Sequence, residues 1–202
     1  MSDNVTGLPK RGFTYHGGTP DSIGKTLGLE GHPMRFMDDF PASGGVRTKR
    51  SDSQVYAVLV RNVSGITLTP GRTVSWKAAF RGRRIDGFTT TTAQEVAGVV
   101  DDQLPAAGVA NNDLFWLIVK GPVLIKTPLA AGAGSVFAEG DSLVALTAAT
   151  SQATTAGRPA VLASAATTNT AAAIINRFAR VMSAMTTAQT NTNMLVDLNI
   201  SP

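Results

Sequence analysis

The fold is decided by one stretch of the sequence, ANNDLFWLIVKGPVLIKTP, which runs from residue 110 to residue 128. Its centre, Leu114–Val119, is an unbroken run of six apolar residues that includes one of the chain's two tryptophans. The run does not alternate with polar residues, so both faces of a strand formed here should be covered, as in the centre of a barrel or sandwich. It stops at Lys120, far short of the roughly 20 residues that a bilayer span requires. We therefore predict a buried central strand.

The residues on either side of this run favour turns. Asn111, Asn112 and Asp113 tolerate left-handed backbone and predict a turn before the strand. Pro122 cannot donate to a sheet ladder, so Gly121-Pro122 predicts a bend, a bulge or an edge.

Further strands are predicted at intervals typical of an all-β protein. The β-rich stretches are QVYAVLVRN (54–62), ITL (66–68), TVSWKAAF (73–80), VAGVV (96–100), SVF (135–137), DSLVALTA (141–148) and NMLVDLNI (193–200). Turns are predicted between them, of type II at Thr69–Arg72 and around Gly140-Asp141. The stretch TAAAIINRFARVMSAM (170–185) fits a strand or a short helical turn. We predict a small antiparallel β-barrel or sandwich.

The first 52 residues differ in texture from the rest. They are rich in Gly and Pro, and we interpret residues 1–52 as an extended arm and residues 53–202 as the β-barrel body. A free tail would not carry so many large apolar residues. Phe13, Tyr15, Phe36 and Phe40 are therefore predicted to dock on the chain's own body, on a neighbouring copy or on another surface.

Positive charge is concentrated in the first half of the chain. The net charge is +4, with +2 in residues 1–50, +3 in residues 51–95 and −1 in residues 96–202. The basic candidates for binding an acidic surface are Lys49 and Arg50, together with Arg81, Arg83 and Arg84 in FRGRRIDG (80–87). A solvated loop is the alternative. No aromatic residues are interleaved to stack on bases, so we do not expect nucleic acid.

The sequence offers little for catalysis or for metal binding. There is no Cys, and His16 and His32 lack the spacing of a metal site. GTPDSIGKTLG (18–28) resembles a phosphate-binding loop, but its glycines have the wrong spacing. The acidic pairs Asp38-Asp39 and Asp101-Asp102 are expected to point in opposite directions, as neighbours on an extended chain do. We predict no enzymatic activity, no cofactor, no metal and no small-molecule substrate.

The order of the segments resembles the small β-barrel decoration, or cement, proteins of tailed-bacteriophage heads. The resemblance covers roughly residues 55–200. It rests on VRNVSGITLTPGRTVSW, VAGVVDDQLPAAGVANNDLFWLIVKGPVLIKT, FAEGDSLVA, RFARVMSA and NMLVDLNI. It implies a virion protein, made in the host cytoplasm, that binds the outside of an assembled capsid.

The resemblance also implies the partners. They are the major capsid protein, whose subunits the chain would bridge, and neighbouring copies of the chain in a dimer or trimer. No membrane is implied. The alternative is a host-surface, glycan-binding module of a tail fibre or adhesin, which usually shows aromatic-lined sugar sites.

Overall fold

The structure is a computed structural model, which describes residues 11–14, 30–41, 47–87, 96–126, 138–145, 159–161, 177–183 and 193–200. Within these ranges the protein is all-β, as predicted, with strands and no helix. The strands are β1 (Pro33–Pro41), β2 (Arg47–Asn62), β3 (Thr73–Trp76), β4 (Arg84–Asp86), β5 (Val96–Val100), β6 (Leu114–Lys126), β7 (Ser142–Ala145), β8 (Pro159–Val161), β9 (Arg177–Val181) and β10 (Asn193–Asn199).

Five of these strands form a ring of pairings. β2 pairs with β4, β4 with β3, β3 with β5, β5 with β6, and β6 returns to β2. The β2–β4 pair is parallel and the other four are antiparallel. The predicted antiparallel pairing is therefore found at four of the five pairs of the ring, and the β2–β4 pair is the exception. A ring with an odd number of strands cannot alternate direction all the way round.

The remaining strands extend the sheet on both sides of the ring. β1 pairs with β2, and β10 pairs with β6 and is followed by β9, β7 and β8. β6 exchanges one neighbour for another along its length: β2 pairs with Leu114–Lys120, and β10 pairs with Lys120–Lys126.

The central strand has both faces buried, as the unbroken apolar run predicts. Its side chains alternate between two hydrophobic cores, which we name the ring core and the outer core. Phe115, Leu117 and Val119 contribute to the ring core. Leu114, Trp116 and Ile118 contribute to the outer core.

The two cores are built from different strands around β2 and β6. The other ring-core residues are Val58, Val60, Leu68, Val74, Trp76, Ile85, Ala97, Val100, Leu104 and Val109. The other outer-core residues are Val55, Ala57, Leu59, Val96, Val99, Val123, Ile125, Leu143, Ala179, Val181, Met194, Val196, Leu198 and Ile200. The alternation predicted for residues 193–200 is confirmed, because Val196, Leu198 and Ile200 are buried on one face.

Three predicted turns are confirmed. Arg72 N–H donates to the carbonyl of Thr69, and Gly71 has the positive φ of 72° that a type II turn requires. Asn112 has a φ of 72° in the turn before β6. Gly140 has a φ of 87°, and the next residue, Asp141, accepts a hydrogen bond from the backbone of Ala138 through its side chain.

The Gly121-Pro122 step is a close approach inside a continuous strand. β6 runs on through Pro122, and its register against β2 shifts at Val119, two residues before the step where a bend, a bulge or an edge was predicted. A Cβ on Gly121 would lie 2.4 Å from the carbonyl oxygen of Gln54. Only glycine therefore fits where β2 leaves β6.

Two of the predicted strands are shorter in the structure than expected. The strand predicted for residues 73–80 ends at Trp76, because Ala79 has a φ of 64° in the turn that follows. The segment predicted as ITL contributes only an isolated bridge between Leu68 and Val109. The stretch at 170–185 contains strand β9, and the predicted SVF strand lies outside the described residues.

The N-terminal segment contains regular structure that its Gly and Pro content does not predict. β1 lies within it, and β2 begins at Arg47, so the predicted boundary between residues 52 and 53 falls inside a strand. β1 pairs with β2 along most of its length, with a register shift between Met37 and Asp39.

Candidate partner-binding surfaces

Arg11 ties the N-terminal segment to the ring. Its Nε donates to Oδ1 of Asp101 at 2.9 Å, and its second guanidinium nitrogen donates to Oδ1 of Asp102 at 2.6 Å. The backbone N–H of Gly12 donates to Oδ2 of Asp101 at 2.7 Å. The Arg11 side chain is fully buried, at 0% exposure. The segment is thus fixed to the loop that follows β5.

Arg50 makes a second set of contacts beside the first. It donates to Oδ1 of Asp38 at 2.8 Å, to Oδ2 of Asp102 at 2.8 Å and to the carbonyl of Pro122 at 2.8 Å. Ser51 donates its hydroxyl to the other oxygen of Asp38 at 2.7 Å. β1, β2, β6 and the loop after β5 therefore meet at one guanidinium.

These two sets share Asp102 and form one buried charge network. Its members are Arg11, Asp38, Arg50, Asp101 and Asp102, two cations and three carboxylates. Burial raises the pKa of Asp101, with the charge of Asp102 adding to the rise and Arg11 opposing it. Burial disfavours the charged form of Arg50, but the hydrogen bonds and charges of Asp38 and Asp102 outweigh it and raise its pKa.

The expectation that Asp101 and Asp102 point apart is wrong. Both carboxylates bind the same guanidinium, because they lie in a loop after β5 and not on an extended strand. Asp102 also accepts a hydrogen bond from the backbone of Leu124 at 2.9 Å. Every carboxylate of the network has a cation, so the network holds elements together and offers no free acid–base couple.

Phe13 is the most exposed large apolar residue of the described chain. Its exposed fraction is 59%, although Arg11, two residues before it, is buried. An aromatic side chain that is exposed next to a fixed point of the backbone can be buried on binding at little further cost in backbone entropy. Phe13 therefore has the properties of a preorganised contact residue.

The turn between β3 and β4 presents the predicted basic cluster. Phe80 is 42% exposed, and Arg81 and Arg83 are exposed beside it. The guanidinium of Arg84 lies 4.3 Å from the centroid of the Phe80 ring and also donates to Glu30 at 3.4 Å. Arg81 and Arg83 are thus exposed at the tip of this turn, and Arg84 contacts both Phe80 and Glu30.

The other predicted contact residues have different surroundings. Phe36 packs edge-on against Trp116, with ring centroids 5.1 Å apart, and helps to cover the outer core. Arg50 belongs to the buried charge network, and Lys49 is exposed and pairs with Asp52 at 3.5 Å. These contacts make Phe36 and Arg50 structural residues of the body.

Two of the predicted aromatic anchors are not fully described. Tyr15 lies outside the described residues. Phe40 lies in β1, and its side chain is outside the description.

Sequence reasoning missed the buried charge network, because nothing local pairs Arg11 with residues 90 positions away. The only signal was the presence of two adjacent acidic pairs in a chain with few charges.

The described residues contain no group of three or more His, Cys, Asp or Glu side chains arranged to hold a metal ion, and no helix long and apolar enough to cross a membrane. His32 is exposed, while His16 and the GTPDSIGKTLG stretch lie outside the description. The chain matches no protein-family profile and no curated protein sequence.

Proposed function

We propose that this chain is a structural virion protein that binds the outside of an assembled bacteriophage capsid and stabilises it by bridging major capsid subunits. The observation that carries the proposal is the exposed Phe13 beside the buried Arg11. Such an arrangement favours adhesion through a fixed apolar side chain.

The basic turn between β3 and β4 supports the same function. Arg81 and Arg83 add positive charge at a turn tip, which favours encounter with an acidic protein surface. Each contact is small, but a capsid repeats its surface many times. Protomers that also contact neighbouring copies would gain avidity from that repetition without tighter individual contacts.

A protein that binds only the assembled shell shifts the equilibrium towards assembly by mass action. This role needs a rigid body and exposed adhesive groups, and it involves no bond-making step. The two-core body and the buried charge network supply the rigidity.

The first test replaces the exposed aromatic. Phe13→Ser should lower the occupancy of the chain on purified heads of its phage, because it removes the apolar contact, and should leave the thermal midpoint unchanged, because Phe13 is exposed. Occupancy is measured by co-sedimentation at a subsaturating concentration of the chain.

The matched control is Met182→Ser, which removes an apolar side chain that is 42% exposed in the turn after β9. It should leave occupancy unchanged. Equal occupancy for the Phe13 variant and the wild type would contradict the role of Phe13. A wild-type chain that does not bind intact heads would end the capsid proposal itself.

A further inference from the structure

A surface groove lies across β1, β2 and β6. The residues that line it include neither Phe13 nor any residue of the basic turn. The volume of the groove is about 510 Å³, and the apolar side chains that line it on the face of Tyr56 are Pro33, Val58 and Val119. These residues give it a predominantly apolar floor.

Three residues in a row across the sheet form one side of this groove. Tyr56 of β2 is directly opposite Arg35 of β1 and directly opposite Lys120 of β6. Residues paired in this way share a face of the sheet. The Arg35 guanidinium lies 4.9 Å from the Tyr56 ring centroid, and the Lys120 ammonium lies 5.7 Å from it.

The two cations of the row lack acidic partners within the described part of the chain. No carboxylate pairs with Arg35 or Lys120 there, and no acidic residue lines the groove. The contact with the Tyr56 ring compensates little of the positive charge of Arg35 and Lys120, because both side chains are exposed. The groove therefore combines an apolar floor with a positive edge, which is complementary to an apolar side chain beside a carboxylate.

The shape of the groove favours a protein segment as the occupant. Arg35 and Lys120 are exposed and Tyr56 is half-buried, so the groove is open along its edge. A small ligand normally has most of its surface buried by its site, which an open groove cannot do. A segment on the surface of another protein brings its own covering surface and needs the groove for only one or two side chains.

We infer that the groove at Arg35, Tyr56 and Lys120 is a docking site for an acidic segment of the partner protein, with an apolar side chain on the floor and carboxylates at the two cations. If the proposed function holds, that segment belongs to the outer surface of the major capsid protein. The groove would then form a second contact with the capsid, in addition to the contact made by Phe13.

The test uses a defined probe and the full chain. A fluorescein-labelled peptide, Asp-Leu-Asp-Phe-Glu, is titrated with the chain and followed by fluorescence anisotropy. The double variant R35Q/K120Q should bind about tenfold more weakly than the wild type, since the loss of two charge contacts of this kind amounts to roughly that factor. The amide peptide Asn-Leu-Asn-Phe-Gln should show a similar loss with the wild-type chain.

The matched control is Arg180→Gln, which removes an exposed cation on β9 that does not line the groove. It should bind the acidic peptide as the wild type does. Equal affinity of R35Q/K120Q and wild type, or of the acidic and amide peptides, would overturn the inference.

The outcomes for the groove and for the capsid proposal are separable. A chain that binds the peptide through the groove but does not bind phage heads would retain the docking site and lose its capsid assignment. A wild-type chain that binds phage heads but does not bind the acidic peptide would retain the capsid assignment and lose the docking site.

Discussion

The side chain of Arg11 fixes residues 11–14 to the loop that follows β5. Its guanidinium lies between two carboxylates and is fully buried, so the charges depend on one another for compensation. Removing one partner from such a group costs far more than the pair contributes, because the remaining charge stays buried without compensation. The network therefore specifies where the segment docks.

The residue-scale prediction concerns Arg11→Met, which keeps the apolar stem and removes the charge. The free energy of unfolding should fall by about 3–5 kcal/mol near neutral pH, because Asp101 and Asp102 are left without Arg11. Urea unfolding followed by circular dichroism measures this loss. The exposed pair of Lys49 and Asp52 provides the control, since Lys49→Met should change stability by less than about 0.5 kcal/mol.

The loss should shrink in acid. Burial already raises the pKa of Asp101 above its usual 3.8, and loss of Arg11 removes the charge that opposes the rise. A carboxyl group whose pKa is raised by folding adds stability below its unfolded pKa and loses it as the pH rises through the folded pKa. The difference between wild type and variant should therefore be smaller near pH 5 than near pH 7. An equal difference at the two pH values would contradict this assignment.

At the scale of the element, β6 depends on one glycine to change neighbours. Gly121 has a φ of 98°, and a side chain there would meet the backbone of Gln54. Gly65 also has a positive φ, of 79°, but no atom lies within 4 Å of the position of its absent Cβ. Substitution of Gly65 by alanine would introduce only backbone strain, whereas substitution of Gly121 would introduce backbone strain and a close contact with Gln54.

Gly121→Ala should therefore destabilise the fold by roughly 2–4 kcal/mol more than Gly65→Ala. Both variants share the strain of an L-residue in left-handed backbone, which costs about 1–2 kcal/mol. Thermal and urea unfolding of the two variants measure the difference. Similar losses would mean that β2 and β6 can separate at Gly121 without cost.

Local signals in the sequence predicted most strand positions and turns. The alternation in β10 and the Pro-Gly pair before β3 needed no information from distant residues. β1 was missed because its alternation includes Asp38, which is buried with Met34 and Phe36 nearby on alternate positions. A carboxylate in the buried register hides a strand from any pattern based on apolar residues, because its partner, Arg50, is recognisable only in the fold.

Long-range features of the candidate surfaces were beyond prediction for the same reason. Phe13 and the basic turn could be identified from residue type alone. Neither the burial of Arg50 nor the row of Arg35, Tyr56 and Lys120 follows from spacing, since each needs the register of β2 against two other strands.

At the scale of the whole molecule, the two cores share β2 and β6 and should unfold together. The chain's two tryptophans report on them separately, because Trp76 lies in the ring core and Trp116 in the outer core. In the single-tryptophan variants W116F and W76F, the fluorescence transition in urea should coincide with the circular-dichroism transition of the same variant. A fluorescence midpoint that departs from the circular-dichroism midpoint in either variant would show that the cores unfold independently.

The shared strand also constrains how this sequence can evolve. Insertion of one residue within Leu114–Val119 would send each following side chain to the opposite core. Every packing partner on both sides would then face the wrong residue. Homologues of this chain should accordingly keep the length of β6 fixed and vary in length at open turns, such as those at Gly65 and Gly140, where no atom lies within 4 Å of the position of the absent Cβ.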